Sequence, residues 1–170
     1  MDNQLSAVVK KKYLKYAAFA GQTVEEILEN RYQNAKRYEA TMLASIQLVN
    51  DRKGGLHIQQ LPDLVQWSPV FGFLPQDLNG DNYIDVIAVG NFYGVLPYEG
   101  RYDAGNGVVM MNYADKAYRL EGPSSTGFLV DGEARDIKGL WTTNGKKLIA
   151  VARNNNVIQF FQIIGDKGHN

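Results

Sequence analysis

The residues best placed to do chemistry are Asp77-Leu78-Asn79-Gly80-Asp81-Asn82-Tyr83-Ile84-Asp85. Oxygen side chains stand at positions one, three, five and nine of this loop: Asp77, Asn79, Asp81 and Asp85. Alternate positions of a tight turn can point inward together. Tyr83 can add its backbone carbonyl, and Gly80 permits a sharp bend. Hard oxygens in flexible geometry suit Ca²⁺, which takes six to eight of them. Mg²⁺ suits the loop less well, because it demands a strict octahedron and keeps its waters. Three carboxylates a few ångströms apart repel by roughly 1–3 kcal/mol per pair, and a divalent cation reverses that sign. The plain alternative is a solvated turn, since Asp, Asn and Gly favour turns without any ion. The loop is not an EF-hand: Asn82 stands at position six and Ala88 at position twelve, where glycine and glutamate are required. It runs directly into Val86-Ile87-Ala88-Val89, so it exits into a strand. The expectation is a structural ion pinning a strand–loop–strand turn.

A second candidate is the long segment 91–106. Tyr93, Tyr98, Glu99, Arg101, Tyr102 and Asp103 can form a binding surface there, with aromatic rings as anchors. The bland reading is an ordered loop, held by Arg101 against Glu99 or Asp103, with its tyrosines packed on the core. Glu99 and Asp103 also invite a reading as the acid/base pair of a glycan-cleaving enzyme, which needs two carboxylates about 5–10 Å apart across a cleft. Other chemistry finds little support. No G-x-S-x-G is present, and His57 reads as an exposed strand residue. Gly80, Gly90 and Gly94 open no helix, so they make no phosphate cradle. Trp67 and Trp141 read as packing residues.

Composition removes whole classes. Eighteen basic and eighteen acidic residues cancel among 170, which disfavours a nucleic-acid partner and a polybasic membrane surface. Without cysteine there is no disulfide or thiolate chemistry, and His57 and His169 alone make zinc a poor fit. No apolar run approaches a membrane span. Lys10-Lys11-Lys12 follows Val8-Val9 at once, so no leader is read there.

Two regions must position these residues. Residues 1–35 form a helical segment, with helix read over 4–35. Leu5, Val8, Val9, Lys12, Tyr13, Tyr16 and Phe19 make one face, Gly21 stops it, and Thr23-Val24-Glu25-Glu26 begins a second helix as a capping box. Residues 36–170 form the β region. Strands are expected at 38–49, 55–61, 69–76, 84–91, 107–112, 117–121, 126–131, 134–141, 146–153 and 156–163, antiparallel and joined by turns at Asp51–Gly55 and Thr143–Lys146. A repeat of about 62 residues is visible. It carries Ile46-Gln47-Leu48-Val49-Asn50 onto Val108-Val109-Met110-Met111-Asn112, and Ile87-Ala88-Val89 onto Ile149-Ala150-Val151. The same offset sets Asp77, Asn79, Asp81 and Asp85 on Gly139, Trp141, Thr143 and Lys147. The second copy then lacks every acidic ligand, and one calcium site is expected.

Asp77–Asp85 followed by Val86-Ile87-Ala88-Val89-Gly90-Asn91-Phe92 resembles the FG-GAP/VCBS-type repeat of integrin-α-like β-propellers. Ser68-Pro69-Val70-Phe71-Gly72-Phe73, Gly90–Val95, Gly100–Ala104 and Ala150–Asn155 extend the likeness toward the C-terminal part of bacterial VCBS-repeat proteins of the ASPIC/UnbV group. The resemblance covers roughly residues 40–163. It implies side-chain calcium ligands at Asp77, Asn79, Asp81 and Asp85 and a carbonyl ligand at Tyr83. It also implies an exported or surface-exposed adhesion, ligand-binding or scaffolding role.

The fold expectation is a mainly β chain with N-terminal helices, as a partial or open β-propeller of about two to three antiparallel blades, since closed propellers take 4–8. The functional expectation is a non-catalytic, calcium-stabilised module, extracellular, periplasmic or on the cell surface, whose partner is a protein or glycan or the other blades of a larger propeller. Two alternatives stand beside it: part of a secreted polysaccharide-acting enzyme with its site at Tyr93–Asp103, and an assembly piece completing a larger propeller.

Overall fold

A computed structural model describes residues 7–114 and 117–164. The chain divides into two compact units, Met1–Leu43 and Ala44–Asn170.

In the first unit the helix expected before Gly21 is two short ones, α1 (Ala7–Lys12) and α2 (Tyr16–Phe19); the second expected helix is α3 (Val24–Leu28), followed by a 3₁₀ segment at Glu29–Asn34. Leu5 and the expected helix start lie outside the described residues. Helices this short do not hold by propensity; local contacts hold them. The bend after Lys12 lets its ammonium ion-pair with Glu29 and donate to the Glu26 carbonyl at 2.7 Å. The Tyr13 and Phe19 rings meet edge to face at 5.4 Å. The capping box forms as expected. The Thr23 hydroxyl accepts from the Glu26 N–H at 3.3 Å, and the Glu26 carboxylate accepts from the Thr23 N–H at 2.7 Å.

The second unit is mainly β. Three antiparallel sheets follow one another: β1 (Ile46–Asn50) with β2 (Leu56–Gln60); β3 (Val70–Gln76), β4 (Asp85–Gly90), β5 (Val108–Asn112) and β6 (Tyr118–Glu121); and β7 (Ala134–Trp141), β8 (Lys147–Arg153) and β9 (Gln159–Gln162). Strands pair in chain order, so each sheet is a meander, and none closes into a barrel. The one-turn helices α4 (Asp63–Gln66) and α5 (Pro123–Thr126) follow β2 and β6. The sequence hairpin, one-turn helix, hairpin therefore occurs twice.

Two expected strands need correction. Residues 38–45 are unpaired, and only Ile46–Asn50 joins a ladder. Segment 126–131 is no strand: Pro123 begins α5, and Gly127 ends it in the left-handed region at φ 66°. Phe128 and Val130 are buried with Leu129 exposed, an alternation that mimics a strand. The Val130 N–H finds the Asn106 carbonyl at 2.9 Å instead of a ladder.

The sheets stack in series. One face of the middle sheet gives Ile87, Val89, Val109 and Met111 to a core shared with Ile137, Ile149 and Val151 of the last sheet. Its other face gives Ala88 and Met110 to a core with Leu61 and Val65. The Gln47 side chain of the first sheet hydrogen-bonds Tyr118 on that same side. The central strands β4 and β5 are thus covered on both faces, which is why Val86–Val89 reads as an unbroken apolar run.

The backbone also corrects the repeat. β3 and β7 each carry a bulge near the base of their hairpin, after Val70 and after Ala134. Val70 pairs with Gly90 and Ala134 with Arg153. Just beyond, the Asn91 N–H reaches the Pro69 carbonyl and the Asn154 N–H reaches the Glu133 carbonyl. Anchored there, Ala88 corresponds to Val151 and Val86 to Ile149, one residue away from the sequence alignment. In a strand, one residue exchanges the faces. With the corrected register, Val151 and Ile149 occupy the face on which Ala88 and Val86 lie, so the face of one sheet that looks forward along the chain meets the backward-looking face of the next.

Candidate metal centre

The loop leaves β3 after Gln76 and enters β4 at Asp85. Gly80 and Asn82 take positive φ, 85° and 69°, a region open to glycine and tolerated by asparagine. Each polar side chain then serves the backbone. Asp77 accepts the N–H groups of Gly80 at 2.7 Å and Asn82 at 3.0 Å. Asn79 Oδ1 accepts from Asp81 at 3.1 Å, and its amide donates to Asp81 Oδ2 at 2.9 Å. Asp81 Oδ1 accepts from Tyr83 at 2.8 Å. Asp85 is fully buried and takes the N–H of Leu78 on one oxygen and that of Asn112 on the other, both at 2.9 Å. Asp77, Asn79, Asp81 and Asp85 are thus brought into one nine-residue turn, with the Tyr83 ring half exposed.

The set fits a hard cation in kind. A carboxylate has about four lone-pair sites, and each of these oxygens uses one in the hydrogen bonds above. A further oxygen, missed by the sequence reading, stands at the loop's exit. Asn112 Oδ1 on β5 is buried without a hydrogen-bond partner, while its own N–H holds Asp85 and its amide reaches the Ile84 carbonyl at 3.4 Å. Only pairing of β5 beside β4 brings it there. Among the described residues, no three acidic or imidazole side chains are gathered as an ion-enclosing group.

Burial works against ionisation of Asp77. The N–H groups of Gly80, Asn82 and Asp81 and the charge of Lys147 outweigh it and hold the carboxyl below its ordinary value. Lys147, which the repeat offset equates with Asp85, acts electrostatically on Asp77 and has its ammonium 5.1 Å over the Trp141 ring. Trp141 is 70 % exposed and Trp67 60 %, so neither is the packing residue expected. His57 is exposed on β2, as expected.

Segment 91–106 is an ordered loop. Phe92 and Tyr102 exchange backbone hydrogen bonds at 2.8 and 3.0 Å. Buried Asn91 donates to the carbonyls of Gly105 and Gly132 and accepts from the Ser68 hydroxyl and the Gly105 N–H. Buried Glu133 accepts from the Tyr93 N–H, Asn154 and Arg135, each at 2.7 Å. The Arg135 guanidinium lies against the Phe71–Phe92 ring pair, 4.4 and 5.5 Å from their ring centres. Arg101 stacks 4.8 Å over Tyr93. Among the described residues no ion pair joins Arg101 to Glu99 or Asp103, so the holding contact differs from the one expected. Tyr98, Glu99, Tyr102 and Asp103 are exposed. Neither Glu99 nor Asp103 lines the cavity of about 460 Å³ that lies between Met111, Phe128 and Phe161.

The hydrogen bonds from Tyr93 and Asn154, helped by Arg135 and Arg101, hold the Glu133 carboxyl below its ordinary value of 4.5 despite burial. A depressed folded-state value contributes stability above the unfolded value and loses it as pH falls through the folded one. Glu133 and Asp77 both act this way. The urea midpoint is therefore expected to drop as pH goes from about 5 toward 3, and a flat midpoint over that span contradicts these contacts.

No family model, curated protein or solved structure matches this chain. Among the described residues no helix is long and apolar enough to cross a membrane.

Proposed function

We propose that this chain is a calcium-stabilised, non-catalytic, β-propeller-like module of the FG-GAP/VCBS type, used outside the cell for binding, adhesion or scaffolding. The observation that carries the reading is the serial stack. Three meanders of two, four and three strands follow in chain order; the middle sheet packs its forward face on the backward face of the last, and its backward face on Leu61 and Val65, which directly follow the first sheet. Units that fan about an axis pack this way, whereas a two-sheet sandwich turns equivalent faces toward each other. On this reading the first and last sheets are incomplete blades. The loop at Asp77–Asp85 would hold Ca²⁺ through Asp77, Asn79, Asp81, Asp85 and the Tyr83 carbonyl. The ion supplies positive charge to a turn rich in carboxylate.

Melting in calcium against melting in chelator tests the calcium part. With millimolar calcium and a dissociation constant near 0.1 mM, stabilisation is about 1.4 kcal/mol, a rise of a few degrees in Tm. Asp81→Ala should abolish most of that difference and leave the chelated protein nearly unchanged. Identical wild-type melts in the two buffers would remove calcium from the proposal.

A further inference from the structure

The two ends of the stack carry the same kind of surface that its interior buries. In the middle sheet Met110 pairs with Leu120 on the backward face, and Met110 is fully buried. The corresponding pair in the first sheet is Leu48 with Ile58, which by alternation lies on the face opposite Gln47, the side chain that meets Tyr118 of the middle sheet. These two residues are 56 % and 61 % exposed. Leu56 stands on the same face, also exposed.

At the other end, Ile137, Ile149, Val151 and Phe161 of the last sheet look back at the middle sheet. Alternation puts Leu140 and Leu148, a cross-strand pair, and Phe160 opposite Ala150 on the forward face. Leu140 and Phe160 are exposed there. The same face also carries the Asp136–Lys138 ion pair at 3.0 Å, opposite Ala152 and Ala150. One end thus offers an apolar forward face and the other an apolar backward face, and the chain itself already joins such faces within the stack.

We propose that two copies of this chain associate head to tail, with the forward face of β7–β8–β9 in one covering the backward face of β1–β2 in the next. The proposal rests on the serial-stack reading but not on the bound ion. Because the two surfaces differ, the contact is heterologous. The joined pair still presents one free face of each kind, so the association either closes into a ring or continues.

Analytical ultracentrifugation of the full chain tests this over an about hundredfold range of concentration, in calcium and in chelator. The wild-type mass should rise with concentration. Leu48→Glu should remove one surface and Phe160→Glu the other, and each variant alone should remain monomeric. A one-to-one mixture should form a dimer and nothing larger, since it retains one intact surface of each kind. Both side chains are exposed, and circular dichroism melts confirm that the variants fold.

A wild-type monomer throughout overturns the proposal, whether the faces are bare or covered by another partner. So does a dimer that only one of the two variants dissociates, because that pattern belongs to a two-fold contact. Loss of the calcium-dependent melt leaves the mass data unaffected, so the two readings can fail separately.

Discussion

Asp85→Ala should destabilise the protein by about 3–5 kcal/mol, in calcium and in chelator alike. The carboxylate is wholly buried and holds the N–H groups of Leu78 and Asn112. Alanine leaves two part-buried donors without their carboxylate, at about 1–3 kcal/mol each, and opens a small cavity besides. Asp85→Asn keeps one acceptor oxygen and should lose roughly half as much. Urea unfolding of both variants gives the comparison. The contrast with Asp81→Ala is the informative part. Asp81 acts within the loop, so its loss should appear only with calcium present. Asp85 ties the loop to β5, so its loss should appear everywhere. If Asp85→Ala melts like wild type in chelator, the buried carboxylate does not hold the hairpin together.

Gly90→Ala should be at least as damaging. An added Cβ would lie 1.8 Å from the Pro69 carbonyl oxygen and 2.9 Å from the Val70 Cα, both backbone atoms. That carbonyl accepts the Asn91 N–H at 2.9 Å, so it cannot retreat without breaking the base of the hairpin. A loss above about 4 kcal/mol, or failure to accumulate folded protein, is expected. Gly122→Ala is the control. Its φ is −83° and its added Cβ would meet nothing closer than the Ser124 hydroxyl at 3.9 Å. It should stay within about 0.5 kcal/mol of wild type. A folded Gly90→Ala with an unchanged urea midpoint would contradict the close approach at the bulge.

Much of the β region was legible because its signals are local. Val86–Val89 announces a doubly covered strand by being apolar at every position. Asp51–Gly55 and Thr143–Lys146 announce their turns by residue type, and Arg52, Gly54 and Gly145 indeed take positive φ. The capping box at Thr23 was equally readable, since both partners lie within four residues. What failed needed distant partners. Phe128 and Val130 alternate like a strand, yet whether a ladder forms depends on a neighbour that the sequence does not name. The helix expected before Gly21 breaks after Lys12, whose ammonium meets Glu26 and Glu29, partners 14 and 17 residues away that helical periodicity does not reveal. The Asp77–Asp85 loop was legible in its residue types. Asn112 was not, since only pairing of β5 with β4 brings it to the loop. The repeat was visible, but its phase in β8 was one residue off. Ile-Ala-Val recurs in the letters, while the backbone counts from its bulges.

Those bulges anchor each hairpin at its root and not at its tip. Between β3 and β4 the chain spends Asp77–Ile84 on an acidic loop, and between β7 and β8 only Thr142–Lys146 on a plain turn. The face that each hairpin shows the core is unaffected by the difference. The tips are therefore interchangeable parts. Insertion, deletion or transplantation of a binding loop at that end leaves the inward side chains in phase, so new recognition chemistry can be tried there without renegotiating the fold.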